Sequence, residues 1–228
     1  MEVRRAFSQR AFRLSTYSVV KMADVAETIK LYYDFKSPFT YLAMDPAYKL
    51  EETHRVRLRF IPLELAIREA YGGDLEQRAQ RDWDKVRYLY MDMRRFANER
   101  GMIIRGPQKI FDSRLALMSG LYADRHGRFR PYADRVFERF FKRELNIEDF
   151  GALTAVMSEA GLDTAGFRTY ADSDGPGDLR AAAAEAERDG VFGVPTFNVG
   201  GELFWGNDRV EWLVKKLDHM KLRRVRGA

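Results

Sequence analysis

Ile29-Lys30-Leu31-Tyr32-Tyr33-Asp34-Phe35, followed at once by Ser37-Pro38, is the stretch on which the fold of this chain turns. The first part is a short β-branched and aromatic run of the kind that forms a strand. Ser before Pro is the expected N-cap with Pro at the first helical position, so a helix opens directly after the strand and runs to about Leu50. Val56-Arg57-Leu58-Arg59-Phe60-Ile61 then alternates as a second strand and stops at Pro62. Strand, helix and strand within about 33 residues make a βαβ unit.

Beyond Pro62 the pattern becomes helical. Val86, Leu89, Tyr90, Met93, Phe96 and Ala97 recur at helical spacing, and Gly101 closes that element. Phe111 to Tyr122 predicts a second helix, broken at His126-Gly127, and Tyr132, Val136, Phe137, Phe140 and Phe141 mark a third. Phe150, Leu153, Val156, Met157 and Ala160 mark a fourth, ended by Gly161. A short helix around Phe167 and Tyr170 precedes a turn at Gly175-Pro176-Gly177, after which Asp178 caps an Ala-rich helix that stops at Gly190. The last part returns to strands. Val194 to Val199, then Gly200-Gly201, then Glu202 to Trp205 reads as a two-residue hairpin, and Asn207 or Asp208 caps a final helix bearing Val210, Leu213, Val214 and Leu217 on one face.

Composition bounds what such a chain can do. With 228 residues, 46% hydrophobic and 13% aromatic, it can bury a core without staples, and disorder is excluded for the body. Cysteine is absent, which rules out disulfides, iron–sulfur clusters, thiolate zinc sites and any mechanism that uses a protein thiol. His54, His126 and His219 are isolated, which argues against a histidine-based metal site. The net charge of +5 is concentrated at the ends: residues 1–22 contribute +4 and residues 215–228 contribute +5, leaving the body near −4. A mildly acidic body is a poor match for nucleic acid, and no apolar run approaches the roughly 20 residues of a membrane span. Residues 1–28, with Arg4, Arg5, Arg10 and Arg13 among Ser and Phe, read either as a disordered extension with Met22 as the true start or as a transit peptide. The expected location is therefore the cytoplasm, or an organelle if the arginines are a targeting signal.

Three segments together carry a family resemblance. They are Tyr33 to Ala43; Arg87-Tyr88 with Asp92 to Ala97; and Gly190-Val191-Phe192-Gly193-Val194-Pro195-Thr196-Phe197 with Gly206-Asn207-Asp208-Arg209. The chain resembles the DsbA-like superfamily, and within it the 2-hydroxychromene-2-carboxylate isomerase and kappa-class glutathione transferase group, over residues 29–217. The resemblance implies an α/β, thioredoxin-like fold with a large α-helical insertion: a core of about 29–65 and 178–217, the insertion at about 66–177, and a basic tail at 218–228.

It also implies a site. Ser37 stands where thiol oxidoreductases of this fold have their first cysteine, and there it would hold the thiolate of glutathione; on local sequence it is equally an ordinary N-cap. Val194-Pro195 resembles the cis-proline of thioredoxin folds, which pairs the preceding residue with a bound peptide, or else simply opens an edge strand. Asn207 and Asp208 match positions that take the glutamyl end of glutathione, or they only cap a helix, and Arg209 suits a structural ion pair. Lys85 matches a lysine that reaches the cofactor or substrate, with Arg87 and Tyr88 on the substrate side; each could equally be helix surface. Two departures bear on the pocket. A family Gly-Asn pair is replaced around Gly72-Gly73-Asp74, and Gly106 to Phe111 lacks the usual proline-rich form.

The function implied is a glutathione-dependent isomerase acting on a small aromatic-degradation intermediate, with a homodimer as the family expectation. The rivals are a kappa-like transferase or peroxidase that consumes glutathione, and a cysteine-free scaffold that kept the fold and lost the chemistry.

Overall fold

The computed structural model describes residues 27–67 and 80–225. Residues 1–26 and the Gly72-Gly73-Asp74 departure lie outside the described residues. The first strand, β1 (Glu27–Tyr33), begins two residues before the apolar run and ends before Phe35. It does so because it pairs residue for residue, in parallel, with β2 (Val56–Pro62), from Glu27 opposite Val56 to Tyr33 opposite Pro62. Residues 27 and 28 therefore belong to the folded body. Between the strands runs α1 (Pro38–Thr53), capped by Ser37. It extends past Leu50 and through Pro46, whose missing N–H leaves the Leu42 carbonyl without its helical donor. The guanidinium of Arg100 donates to that carbonyl instead.

The insertion holds α2 (Gln80–Glu99), α3 (Arg114–Arg125), α4 (Phe129–Phe141), α5 (Phe150–Glu159) and α6 (Phe167–Asp172), and α7 (Gly175–Arg188) leads back to the sheet. Two boundaries differ from the sequence reading. Helix α3 starts at Arg114 rather than Phe111, because the Asp112 carboxylate accepts the Arg114 N–H at 2.9 Å and so turns the chain there. Gly175-Pro176-Gly177 is the first turn of α7 rather than a separate turn, with Pro in a position that needs no N–H donor. Asp178, freed from capping, binds Arg125 at 2.5 Å and the Tyr170 hydroxyl at 2.8 Å.

The hairpin is β3 (Thr196–Val199) and β4 (Glu202–Trp205) around Gly200-Gly201, and the sheet order is β2-β1-β3-β4, with β3 antiparallel to both neighbours. Helix α8 (Val210–His219) closes the fold. Strand β1 divides its side chains by period two. Ile29, Leu31 and Tyr33 enter the main core with α1 and the insertion, whereas Tyr32 joins Ile61, Ala182, Ala186 and Val194 under α7. Phe35, just past the strand, joins sheet to insertion, its ring 5.3 Å from Tyr33, 6.1 Å from Tyr132 and 4.9 Å from Phe137.

Residues 218–225 are not the free basic tail the charge run suggested. Arg55 N–H donates to the Leu222 carbonyl at 2.7 Å and Arg224 N–H to the Thr53 carbonyl at 2.8 Å. Asp218 takes both Arg223, at 2.6 and 2.7 Å, and the buried His54 ring, at 3.2 Å. Among the described residues, no helix is long and apolar enough to cross a membrane.

Candidate active site

The β1–α1 corner is fixed by Asp34. Its buried carboxylate accepts Lys36 N–H at 3.1 Å and Leu65 N–H at 2.8 Å, tying the exit of β1 to the exit of β2. Burial pushes this carboxyl above its ordinary value, and the neighbouring Lys36 charge opposes the shift. Ser37 follows as the N-cap of α1. Its Oγ accepts Thr40 N–H at 3.1 Å and donates to the Val194 carbonyl at 3.4 Å, and the residue is 3% exposed. The capping reading of Ser37 is therefore true of the structure, and the same hydroxyl touches the loop before β3.

That loop carries a cis peptide at Val194-Pro195, as the resemblance implied. The Thr196 hydroxyl donates to the Gly193 carbonyl at 2.6 Å and closes the turn. Gly193 has no room for a side chain, since a Cβ would meet Trp205 Nε1 at 2.9 Å. Trp205 and Phe192 stand exposed on the outer side, with ring centroids 4.8 Å apart. The Pro195 carbonyl accepts Gly206 N–H at 2.9 Å, so the proline loop is bonded directly to the start of the last motif. Gly206 has a φ of 118°, a left-handed conformation in which a side chain would be strained.

Asn207, Asp208 and Arg209 form a single 3₁₀ turn before α8, and neither Asn207 nor Asp208 caps the helix as the sequence suggested. Asp208 is exposed and pairs with Arg209 at 2.7 Å, the structural ion pair expected of Arg209. Asn207 is 4% exposed, and its Nδ2 has no hydrogen-bond partner among the described residues. An unsatisfied buried amide costs about 1–3 kcal/mol. Such a donor suits the terminal carboxylate of a bound peptide, so the residues present fit the cofactor that the resemblance implies. Ser37 is thus joined to the Val194 carbonyl, and Pro195 to the residue before Asn207, by one hydrogen bond each.

The helix residues that the resemblance assigned to the cofactor or substrate do not line the cleft beside Ser37. Lys85, Arg87 and Tyr88 lie on the exposed face of α2. The cleft beside Ser37, of about 540 Å³, is lined instead by Tyr90 from that helix, by Lys36 and Pro38, and by the 104–111 loop against Phe140 and Phe141. Phe111, which the periodicity placed in a helix, packs edge-on to Phe140 at 5.1 Å in this wall. Sequence reading missed Lys36, although it stands inside the quoted motif as a charged residue between a buried strand end and a buried cap.

The comparisons with known proteins agree with this geometry. The family model for the DSBA-like thioredoxin domain matches residues 28–218. A 2-hydroxychromene-2-carboxylate isomerase of Pseudomonas putida is 30% identical over 186 residues, 80% of this chain and 90% of that protein. The Sphingobium xenophagum protein of the same name is 25% identical over 190 residues, covering 83% of this chain and 97% of that one. A solved 2-hydroxychromene-2-carboxylate isomerase superposes with a TM-score of 0.72 at 26% identity, over 85% of this chain and 96% of that one. The chain belongs to the DsbA-like thioredoxin family, in company with the 2-hydroxychromene-2-carboxylate isomerases it matches over about four fifths of its length.

Proposed function

We propose that this protein is a glutathione-dependent isomerase of the 2-hydroxychromene-2-carboxylate type. Relatives bearing that name, of which the chain covers 90% and 97%, support an isomerase. The observation that supports the cofactor is the line from Ser37 through Val194-Pro195 to the buried, unpartnered amide of Asn207. Bound along it, glutathione would supply a thiolate that adds to a conjugated carbonyl compound and leaves again after rotation about the carbon–carbon bond. No oxidant is needed and the thiol is regenerated.

The work of the chain is to bind, orient and hold a proton. The N-terminus of α1, a helix of 16 residues, presents the positive end of its dipole to an anionic sulfur. Ser37 adds one donor. Its bond to the Val194 carbonyl is long, at 3.4 Å, so exchanging that partner for a thiolate gives up little. The Val194 backbone pairs with the peptide of the cofactor, the Asn207 amide takes its glutamyl carboxylate, and Asp208 takes its ammonium. With the thiol regenerated, catalysis lies in holding the thiolate and positioning the second reactant.

The test is calorimetric titration with reduced glutathione, followed by an assay on 2-hydroxychromene-2-carboxylate with glutathione well below the substrate concentration. Saturable binding, weakened at least tenfold by Asn207→Leu or Asp208→Ala, together with many turnovers per glutathione, is expected. Consumption of one glutathione per product would replace the isomerase with the transferase reading. No binding at millimolar glutathione would overturn both and favour the scaffold.

A further inference from the structure

Helices α2, α3, α5 and α7 end alike, each with a glycine in the left-handed conformation and paired N–H bonds back into the last turn, at Gly101, Gly127, Gly161 and Gly190. Helices α4 and α8 close with the same pair of bonds, but there the left-handed residue is Arg143 or Lys221, at φ 62° and 59°. In α4 the Arg143 N–H donates to the Phe140 carbonyl at 2.9 Å and the Glu144 N–H to the Arg139 carbonyl at 2.8 Å. The helix therefore needs nothing from the Arg143 side chain to end as it does. A side chain in this conformation crowds its own backbone, whereas glycine makes the same bonds without strain. Lys221, exposed at the surface, shows that the angle alone marks no site.

What distinguishes Arg143 is where its guanidinium goes. Its Nε–H and Nη2–H converge on the Gly106 carbonyl at 3.0 and 2.7 Å, and both residues line the cleft beside Ser37. Two donors in a rigid fork fix direction as well as distance, which a single ammonium does not. Just before this point Arg105 N–H is held by the Phe141 carbonyl at 2.9 Å, and the next backbone anchor is Asp112 N–H on Glu148 at 2.8 Å. Without the fork the loop could pivot at Arg105. Gly106 also lies under Tyr90, whose ring a Cβ would meet at 3.7 Å, so a shift of Gly106 would change the loop's contact with α2. The fork thus sets the separation between the loop and the end of α4, where Phe140 and Phe141 form the facing wall. Arg143 is exposed, and a hydrogen bond open to water adds little to stability. The fork does little for the fold, and what it fixes is the place of one wall.

We propose that Arg143 is a positioning residue that holds the 104–111 loop at a set distance from α4 and so determines the breadth of ligand the cleft accepts. It acts through the Gly106 carbonyl and takes no part in the chemistry at Ser37. The inference takes from the isomerase reading only that this cleft receives the second reactant.

The experiment uses the full chain and two neutral fluorescent probes that differ in breadth, 2-naphthalenemethanol and 1-pyrenemethanol, suited to a cleft with apolar walls. In the unaltered chain the narrower probe is expected to bind at least as tightly as the wider, against the larger apolar area of the latter. Arg143→Gly should turn the ratio of affinities at least tenfold toward the wider probe, with the urea midpoint unchanged or raised. Arg143→Lys, with one donor and the strain retained, should lie between. Lys221→Gly makes the same replacement at the other strained helix end and should leave the ratio alone. An unchanged ratio in Arg143→Gly overturns the proposal, and so does an equal shift in Lys221→Gly. Failure of the unaltered chain to bind either probe overturns it too, whatever the variants do. The shifted ratio together with no glutathione binding would sink the isomerase reading alone. Glutathione binding with an unchanged ratio would sink this inference alone.

Discussion

The two walls that meet at Ser37 are built on opposite plans. The sheet-side wall is made of backbone and buried atoms: Ser37 Oγ on the Val194 carbonyl, Gly206 N–H on the Pro195 carbonyl, and Asp34 across the two strand exits. The insertion-side wall is a loop held largely by long charged side chains, with one backbone bond from Arg105 N–H to the Phe141 carbonyl at 2.9 Å. Arg143, itself left-handed at φ 62°, braces Gly106, while Glu148 takes the Asp112 N–H at 2.8 Å and the Lys109 ammonium. Atoms fixed by the path of the chain keep their places when side chains change, whereas a loop pinned by side chains can be reshaped by few substitutions. On the proposed function, that division would suit a constant cofactor on one side and a selectable substrate on the other.

Phe35 is where the two plans share a core, so removing it should damage both. Phe35→Ala leaves a hole among Tyr33, Tyr132 and Phe137 and should cost about 3–5 kcal/mol of stability, read from the urea midpoint. A loss under about 1 kcal/mol would mean that sheet and insertion are separate cores.

A pair of helix caps sharpens the contrast. Ser37 and Asp149 do the same structural task, each accepting an N–H three residues on, at 3.1 and 2.7 Å. Truncating either to Ala should cost about 1 kcal/mol of stability. Only Ser37→Ala should also cut turnover, by about a hundredfold, the usual loss for one donor to a stabilised anion. Equal turnover in the two variants would reduce Ser37 to a cap.

Arg100 reaches from the end of α2 to the Leu42 carbonyl that Pro46 leaves bare in α1. Arg100→Met should destabilise by about 1–3 kcal/mol, because a half-buried carbonyl loses its donor. In a Pro46→Ala background the helix supplies its own N–H, so the same change should cost markedly less. Additive losses in the double-mutant cycle would remove this link between α1 and the insertion.

How much of this was legible in the chain follows the same division. The strand, the Ser-Pro cap, the cis-proline loop and the hairpin could be read because each depends on local residue type and spacing. The line from Ser37 to Asn207 needed only the order of those elements. Lys36 and the cleft were hidden for a different reason. The cleft depends on Tyr90 and Phe140 arriving from elsewhere, and nothing local distinguishes a buried lysine from a solvated one. Arg87 and Tyr88 show the converse, because helical spacing does not say which face of α2 looks into the cleft. Phe111 was drawn into a helix by its apolar character, while Asp112 decided the true start.

The C-terminal segment, mistaken for a tail on charge alone, provides the smallest effect and a region remote from both walls. Asp218 is held down at a pKa of about 2, chiefly by its hydrogen bonds from Arg223 and secondarily by His54, against an ordinary value of 3.8. The fold therefore prefers the ionised carboxylate. What that preference contributes is whole above about pH 4 and is lost as the pH falls toward 2. Amide exchange at Arg55 and Arg224, whose N–H groups bind the Leu222 and Thr53 carbonyls, should accelerate over that interval relative to amides of the sheet. In Asp218→Asn the same amides should already exchange faster at pH 5 and change little below it. Exchange that keeps its pH course in the variant would show that the segment is held by Leu222 and the backbone alone. Either way turnover should not move, since the contact lies at the far end of α1 from Ser37.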